Sequence, residues 1–543
     1  MDDNTKSPIL NNQSEEPLNH YGSVDGNLDY NTILEGRRPF CMDIGITPNT
    51  NAQLSMFDDS AFYNEDADAS FINGIRDEIK KWREQGYPNT TRVTRELLNY
   101  WFNNKERAYN MRLFFCQREA VETAVYLNEV ADRDPNKGRY LLHLLEERQH
   151  SISTQEEDVL PRTAFKMATG TGKTVVMAML ILYNYINKKV NIQDTRFADH
   201  FLIVAPGITI RDRLGVLRID ESTRQSNQKN DYYHLRGLIP YTYERLFEGI
   251  NSCITITNYH AFEPKVFSGK KASPMDGKLV YKDGEMVKQQ EKEDFSVVLS
   301  RVIGKGMKGK RLLVINDEAH HCYLPKKDDA KRDDEVKETE EENEKAMVWY
   351  EGLRQMKNRG YKLQHVYDLS ATPYYLKGSG YPEYSLFPWV VSDFGLVDAI
   401  ESGLVKIPFL PSYDNTHDLD EPKLRNIYKH ISKELPKKSQ KTIRKELNAE
   451  GKEVKKEFEA APHLPALLNS ALDQFVKDYK SYTQELGEMG EMAAELFTTP
   501  PVLIVVCNNT TVSKEVYKYI AGYKKAYTTV STIVHNYLSE ENI

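Results

Sequence analysis

The sequence FKMATGTGKT, from Phe165 to Thr174, sets a glycine-rich turn between two apolar segments. The residues before the turn form a short apolar run, and a strongly apolar run from Val175 to Tyr183 follows it. That order predicts a strand, a phosphate-binding loop and a buried helix. Gly170 and Gly172 allow the backbone to pass close to a polyphosphate and to aim its N–H groups at it.

The loop also has the chemistry that a nucleoside triphosphate and its Mg²⁺ require. Lys173 can reach the β- and γ-phosphates, and the Thr174 hydroxyl can ligate Mg²⁺. The N-terminus of the following helix adds a positive dipole end at the same place. A chance glycine turn is the alternative, and the apolar segments on both sides of the loop disfavour it.

Composition limits the class of protein. At 543 residues the chain is long enough for roughly two to four domains. The formal net charge of −8 gives no global basic signature, so any nucleic-acid surface must be a local patch. Five widely spaced cysteines without a CxxC pair disfavour a zinc site and a disulfide framework. The polar N-terminus is unlike a signal peptide, and the longest apolar run is too short to span a bilayer, so we expect a cytoplasmic protein.

An acidic pair follows a second apolar segment. The run from Leu312 to Ile315 predicts a strand that leads directly into Asp317 and Glu318. Asp317 is placed to hold Mg²⁺ through water, and Glu318 to orient and deprotonate the attacking water. Two solvated carboxylates on a turn are the alternative, and the abrupt end of the apolar strand disfavours it.

Val366 to Leu369 predicts another strand, after which come Ser370 and Thr372. Hydroxyls at that position can bond to His320 and relay the nucleotide state to a neighbouring surface. Strands alternate with helical segments along this part of the chain, and polar residues gather where the strands end. The pattern predicts an α/β fold with a parallel sheet.

Gln117 lies in the first turn of a helix predicted to run to about Val130, some fifty residues before the phosphate loop. Its amide offers a donor and an acceptor, which match the edge of adenine. Taken alone, this residue is an ordinary surface glutamine. Together with the phosphate loop, it favours a contact with adenine.

Other segments carry coarser predictions. Helices are expected within residues 71–108, and an amphipathic helix at Leu464 to Tyr479. A Tyr- and Arg-rich loop covers Tyr232 to Tyr243. The basic GKGMKGK at Gly304 to Lys310 can contact phosphates, and a hairpin without a ligand fits it equally well.

The strongly charged residues 413–459 are interpreted as a connector or a helical insertion. The apolar run from Val502 to Cys507 predicts a further buried strand.

The motifs occur in a recognisable order: MATGTGKT, VAPGITIRDRL, ITNYHAF, NDEAHHCY and DLSATPYY. They resemble a superfamily-two helicase motor of the DEAH-box kind. More narrowly, they resemble the Res subunit of type III restriction enzymes. The narrower likeness depends on His321-Cys322-Tyr323, on VVSDFGLVDAIESGLVKIP at Val390 to Pro408, and on VLIVVCNNTTVSKEVYKYIAG at Val502 to Gly522. It spans roughly residues 110 to 522.

The resemblance implies a site for ATP and Mg²⁺. Gln117 would contact adenine, and the phosphates would be bound by Thr169, Gly170, Thr171, Gly172, Lys173 and Thr174. Mg²⁺ would be held by Thr174 and Asp317. Catalysis would depend on Glu318, Asp317 and Lys173, and coupling on His320, Ser370 and Thr372. Met167 departs from the wider superfamily, in which many relatives have Ala.

The resemblance also implies a nucleic-acid track, formed by Pro206, Gly207, Arg211, Thr257 and Asn258. The implied partners are duplex DNA and a modification methyltransferase subunit. The expected activity is that of a DNA-dependent ATPase and translocase portion of a restriction endonuclease. The alternatives are a helicase or remodelling motor without a nuclease, and a truncated product that binds nucleotide and DNA with little turnover.

The expected domains are an N-terminal extension (1–108), a first RecA-like lobe (109–395), a charged connector (396–500) and the start of a second lobe (501–543). The tail from Tyr523 to Ile543 has no glutamine–arginine helicase motif, and Glu-x-Lys triplets at Glu335 and Glu450 lie in charge runs unlike a nuclease site. We therefore expect this chain alone to bind Mg²⁺ and ATP, to hydrolyse ATP slowly and to leave DNA uncut.

Overall fold

The computed structural model describes residues 8–24, 27–40, 65–153, 155–219, 230–266, 279–282, 285–288, 292–325, 336–375, 379–382, 385–406, 426–436, 441–447, 453–459, 463–488 and 502–521. The chain divides into two compact units, Met1–Ile407 and Pro408–Ile543. Within the described ranges, no helix is long and apolar enough to cross a membrane.

The strands follow one another along the chain as β1 Asn19–Val24, β2 Asn27–Glu35, β3 Arg162–Met167, β4 His200–Ala205, β5 Ile254–Asn258, β6 Leu279–Lys282, β7 Glu285–Lys288, β8 Arg311–Asp317, β9 Lys362–Ser370, β10 Val390–Phe394, β11 Lys441–Leu447 and β12 Glu453–Glu459. The α-helices are α1 Glu65–Glu84, α2 Arg92–Phe102, α3 Phe115–Val125, α4 Lys137–His150, α5 Lys173–Val190, α6 Ile208–Arg213, α7 Tyr232–Leu235, α8 Phe295–Ile303, α9 Val336–Asn358, α10 Leu396–Glu401, α11 Ile427–Ile431, α12 Ala466–Glu488 and α13 Thr510–Ala521.

The first unit is built on a six-stranded sheet with the order β10-β3-β9-β8-β4-β5. Every neighbouring pair in it is parallel, which confirms the predicted α/β fold with a parallel sheet. The carboxyl ends of the strands therefore share one edge, where ligands of parallel sheets bind. β9 lies between β3 and β8, so the three strands with the predicted catalytic motifs are adjacent.

Both faces of this sheet are covered, because alternate residues of each strand point to opposite sides. Leu313 and Ile315 of β8 belong to a core that also contains residues of α1 to α5. Leu312 and Val314 belong to a second core with residues of α8 and α9. The helices predicted in residues 71–108 occur as α1 and α2, and both contribute to the first core. A sheet covered on both faces leaves its carboxyl edge as the place for a ligand.

Two predictions about the second unit were wrong. Val502 to Cys507 pairs with no described strand, and its side chains are open to solvent, with Val506 92% exposed. An apolar run is buried as a strand only where neighbouring strands complete its hydrogen bonds. Of the connector or helical insertion expected in residues 413–459, the helical alternative is wrong where β11 pairs antiparallel with β12. The predicted helix at 464–479 is present as α12.

Candidate active site

The glycine-rich loop that is predicted to bind phosphates connects β3 to α5, which confirms the predicted order of strand, loop and helix. Gly170 and Gly172 have φ values of +87° and +86°, in the left-handed region that glycine adopts without strain. The buried Thr171 hydroxyl donates to the Ala168 carbonyl at 2.6 Å and fixes the turn from inside. Thr169 and Gly170 lie exposed at the tip. The loop therefore presents its backbone outward while its centre is held by an internal hydrogen bond.

Gln117, in the first turn of α3, is buried against this loop. Its Nε2 donates to the Thr171 carbonyl at 2.9 Å, and its Oε1 accepts from the Phe114 backbone N–H at 3.1 Å. A Cβ at Gly172 would overlap Gln117 Nε2, so a larger residue there would displace the Gln117 amide from the loop, in addition to straining the φ angle. Sequence reasoning assigned this glutamine only to adenine, and that assignment stays a prediction. It missed the contact by which α3 holds the phosphate loop.

The acidic pair begins where β8 ends. Glu318 has φ 50° and ψ 51°, a left-handed conformation that costs a non-glycine residue about 1 kcal/mol or more. From this turn Glu318 Oε1 lies 2.5 Å from Lys173 Nζ, although the two residues are 145 positions apart. The structure thus brings together the loop lysine and the predicted catalytic carboxylate.

Asp317 provides the best evidence for a cation site. Its side chain is nearly buried, and Oδ1 has no hydrogen-bond partner among the described residues. Burial raises the pKa of Asp317 to about 6, with a further increase from Glu318 and an opposing effect of Lys173. A buried carboxylate oxygen without a partner fits a ligand of Mg²⁺, bound directly or through a water.

The number of protein ligands also bears on which metal ion could bind near Asp317. No group of three or more His, Cys, Asp or Glu side chains within the described ranges could hold a metal. Mg²⁺ in nucleotide sites takes one or two protein ligands and obtains the others from phosphates and water. Thr174, half-buried at the start of α5, is the second predicted ligand. Thr174 and Asp317 are thus the side chains that would hold Mg²⁺ at this edge of the sheet.

His320 connects the acidic pair to β9. Its Nδ1 lies 2.8 Å from Ser370 Oγ, which also accepts the Thr372 backbone N–H at 3.1 Å. Burial lowers the pKa of His320 to about 3, and His321 and Lys173 contribute in the same direction, so the imidazole is neutral at physiological pH. Ser370 is buried and Thr372 is exposed. The hydrogen bonds run from His320, two residues after Glu318, through Ser370 to the exposed Thr372.

The residues predicted for the nucleic-acid track lie at the end of the two neighbouring strands β4 and β5. Ala205 pairs with Asn258, which places Pro206 and Gly207 beside the end of β5. Thr257 and Asn258 are each less than a tenth exposed. Arg211, on α6, bonds to Asp212 at 2.7 Å. These residues share one edge with the acidic pair, but only the β4–α6 part of the group offers side chains to solvent.

A buried ionic cluster below the phosphate loop was not predicted. Lys166 of β3, 1% exposed, lies with its Nζ 3.0 Å from Asp393 Oδ1 on the neighbouring β10. Arg76 of α1 contacts the same carboxylate at 3.4 Å, and Glu119 of α3 pairs with Arg37. A lysine at a buried position of a central strand was a signal that a carboxylate faces it. The cluster ties α1, α3 and β10 to the strand that ends in the loop.

A comparison with protein families agrees with this geometry. Residues 110–374 match the family described as type III restriction enzyme, res subunit. A search of curated proteins and a search of solved structures found no match. The matched region contains the phosphate loop, the acidic pair and the His320–Ser370 contact. This part of the chain is therefore similar to the helicase-like ATP-dependent motor of those enzymes.

Proposed function

We propose that residues 110–374 hydrolyse ATP with Mg²⁺ as the motor lobe of a protein that translocates on duplex DNA, as in the res subunit of type III restriction enzymes. One observation carries the proposal: Lys173 Nζ and Glu318 Oε1 lie 2.5 Å apart at the carboxyl edge of an all-parallel sheet. A phosphate-binding lysine beside an acidic general base is the arrangement that phosphoryl transfer to water requires.

The chain's own residues divide the work of hydrolysis. The loop N–H groups, the N-terminus of α5 and Lys173 would bind the phosphates, and Gln117 would contact the adenine. Thr174 and Asp317 would hold Mg²⁺, which supplies charge neutralisation at the phosphates when bound. Glu318 would orient the attacking water and accept its proton.

The ion pair between Lys173 and Glu318 gives this site an order of events. Glu318 holds Lys173 in this pair, so a phosphate that binds the lysine would compete with the carboxylate for it. When Lys173 exchanges Glu318 for a phosphate, the carboxylate is released toward the water. Phosphate binding and activation of the base are therefore coupled through one contact.

The hydrogen bond between His320 and Ser370 would transmit that change to β9 and Thr372. The exposed residues after β4, with Arg211, would contact DNA phosphates. From the family match we infer a modification methyltransferase subunit as the partner. We place the protein in the cytoplasm, where such a partner and DNA would be available.

The test is phosphate release by the purified chain with and without duplex DNA, in the parent and in Lys173→Ala. Lys305→Ala serves as the control, because Lys305 is an exposed lysine far along the chain from the loop. We expect Lys173→Ala to lose binding of a fluorescent ATP analogue and nearly all hydrolysis, and Lys305→Ala to lose neither. Equal affinity and turnover in the parent and Lys173→Ala would overturn the assignment.

A further inference from the structure

Two distant segments, residues 103–112 and 231–245, form one surface of the first unit. The Arg107 guanidinium joins them by donating to the carbonyls of Met111 at 2.8 Å, Arg236 at 3.3 Å and Gly237 at 2.6 Å. Trp101 Nε1 adds a bond to the Leu238 carbonyl at 2.7 Å. We call the result the Tyr–Arg surface, made by Lys105, Tyr109, Arg112, Arg236, Tyr241 and Arg245.

Aromatic rings on this surface are open to solvent. Tyr241 is 90% exposed and Tyr109 is 70% exposed. The Arg112 guanidinium lies over the Tyr109 ring at 5.6 Å, and that of Arg236 over the Tyr232 ring at the same distance. The exposed Tyr241 ring and the outer face of the Tyr109 ring are flat surfaces on which a further planar group can stack.

The surface is also locally positive in a chain of net charge −8. Lys105, Arg112, Arg236 and Arg245 form no ion pair within the described ranges. Of the acids in the two segments, Asp231 and Glu244 both bond to His234, at 2.5 and 2.7 Å, and Glu106 stands exposed. The cationic side chains are thus available to an anion from outside.

We propose that the Tyr–Arg surface binds single-stranded nucleic acid, with phosphates on its basic side chains and unpaired bases on Tyr109 and Tyr241. Bases in a duplex are stacked on each other, so their faces cannot reach a surface ring, whereas those of a single strand can. The choice of DNA as the polymer rests on the proposed function, but the binding requires neither ATP nor the residues of the active site.

The experiment is fluorescence anisotropy of a labelled DNA 20-mer, as a single strand and as its duplex, without nucleotide, on the full chain. One variant combines Tyr109→Ala with Tyr241→Ala, and another combines Arg112→Gln, Arg236→Gln and Arg245→Gln. The matched controls are Tyr140→Ala, at an exposed tyrosine of α4, and Lys429→Gln with Lys477→Gln and Lys480→Gln, which removes the same charge from exposed lysines of the second unit.

We expect the tyrosine variant to weaken single-strand binding about tenfold or more and duplex binding much less. The arginine variant should weaken both and flatten the salt dependence, and the controls should change neither. Unchanged single-strand affinity in the tyrosine variant would overturn the proposal, as would an equal loss in the controls. It is also overturned if the tyrosine variant loses ATP-analogue affinity instead, which would assign the rings to the nucleotide. Lys173→Ala should bind the single strand like the parent. The binding experiment therefore tests the Tyr–Arg surface even if the chain is found not to hydrolyse ATP.

Discussion

Lys173 Nζ lies 2.5 Å from Glu318 Oε1, across the end of the strand that separates β3 from β8. The lysine belongs to the phosphate loop and the glutamate to a left-handed turn after β8. The pair keeps two reactive groups neutralised by each other in the absence of phosphates. Any ligand that takes Lys173 must compete with Glu318, so changes at Glu318 should alter binding as well as chemistry.

Glu318→Gln should separate the two effects. The amide keeps the shape but cannot accept the proton, so ATP hydrolysis should fall by about 10²- to 10⁴-fold. Because the negative charge of Glu318, which competes with phosphate for Lys173, is gone, affinity for a fluorescent ATP analogue should stay equal to that of the parent or rise. Glu342→Gln, at a partly exposed acid that pairs with Lys345, is the control and should change neither quantity. Hydrolysis at the parent rate in Glu318→Gln would require another residue as the base.

Asp317→Asn should stabilise the ligand-free protein while weakening its response to Mg²⁺. Burial raises the pKa of Asp317 to about 6, so the ionised carboxylate destabilises the fold above that pH. A neutral amide removes this cost, with an upper bound of about 3 kcal/mol at pH 7.5. The gain should shrink as pH falls from 6 toward 4, since Asp317 is then protonated in the folded state. Thermal unfolding in EDTA at several pH values measures it, and a pH-independent or negative effect would contradict the assignment.

Gly172→Ala tests the contact between α3 and the phosphate loop. The new Cβ meets both a φ of +86° and the Gln117 amide, so stability and nucleotide affinity should fall. Gly309→Ala is the matched control, because Gly309 has φ +93° with open space around it and should cost only the backbone strain, about 1–2 kcal/mol. Adding Gln117→Ala to Gly172→Ala should recover part of the loss. Equal costs for Gly172→Ala and Gly309→Ala would show that the overlap with Gln117 is unimportant.

The elements of the active site could be predicted from local signals. A glycine loop needs positive φ, and an apolar run that ends on two acids needs a strand that stops there. Each of these signals is contained within a few consecutive residues. The meeting of Lys173 with Glu318 and of His320 with Ser370 followed from the parallel sheet, because its carboxyl ends share one edge. Distances and the left-handed turn at Glu318 depend on packing and could not be predicted.

Burial that depends on partners distant in the chain could not be predicted from local sequence patterns. The apolar Val502 to Cys507 has the composition of a core strand, yet burial needs neighbours that no local pattern specifies. Val390 to Phe394, as β10, completes the six-stranded sheet because it pairs with β3, over 200 residues earlier. Ala164 and Val390 are partners in that pairing. The burial of Lys166 in β3 has the same cause, since its carboxylate partner comes from β10.

That partner supports the last prediction. Asp393 is buried with Lys166 at 3.0 Å and Arg76 at 3.4 Å, and these cations lower its pKa although burial opposes them. Asp393→Asn leaves two buried cations facing a neutral amide, so the free energy of unfolding should fall by about 3–5 kcal/mol.

Asp132→Asn removes an exposed carboxylate that pairs with Arg139 at 3.7 Å, and it should cost less than about 1 kcal/mol. Lys166→Met combined with Asp393→Leu should cost less than the sum of the single changes, because the charges leave together. Denaturant unfolding of the full chain measures each value. Since Ala168 N–H donates to the Phe394 carbonyl at 2.9 Å, the loop begins at the strand that Asp393 holds, and Asp393→Asn should also weaken ATP-analogue binding. A loss no larger than that of Asp132→Asn would mean that the cluster does not support the loop.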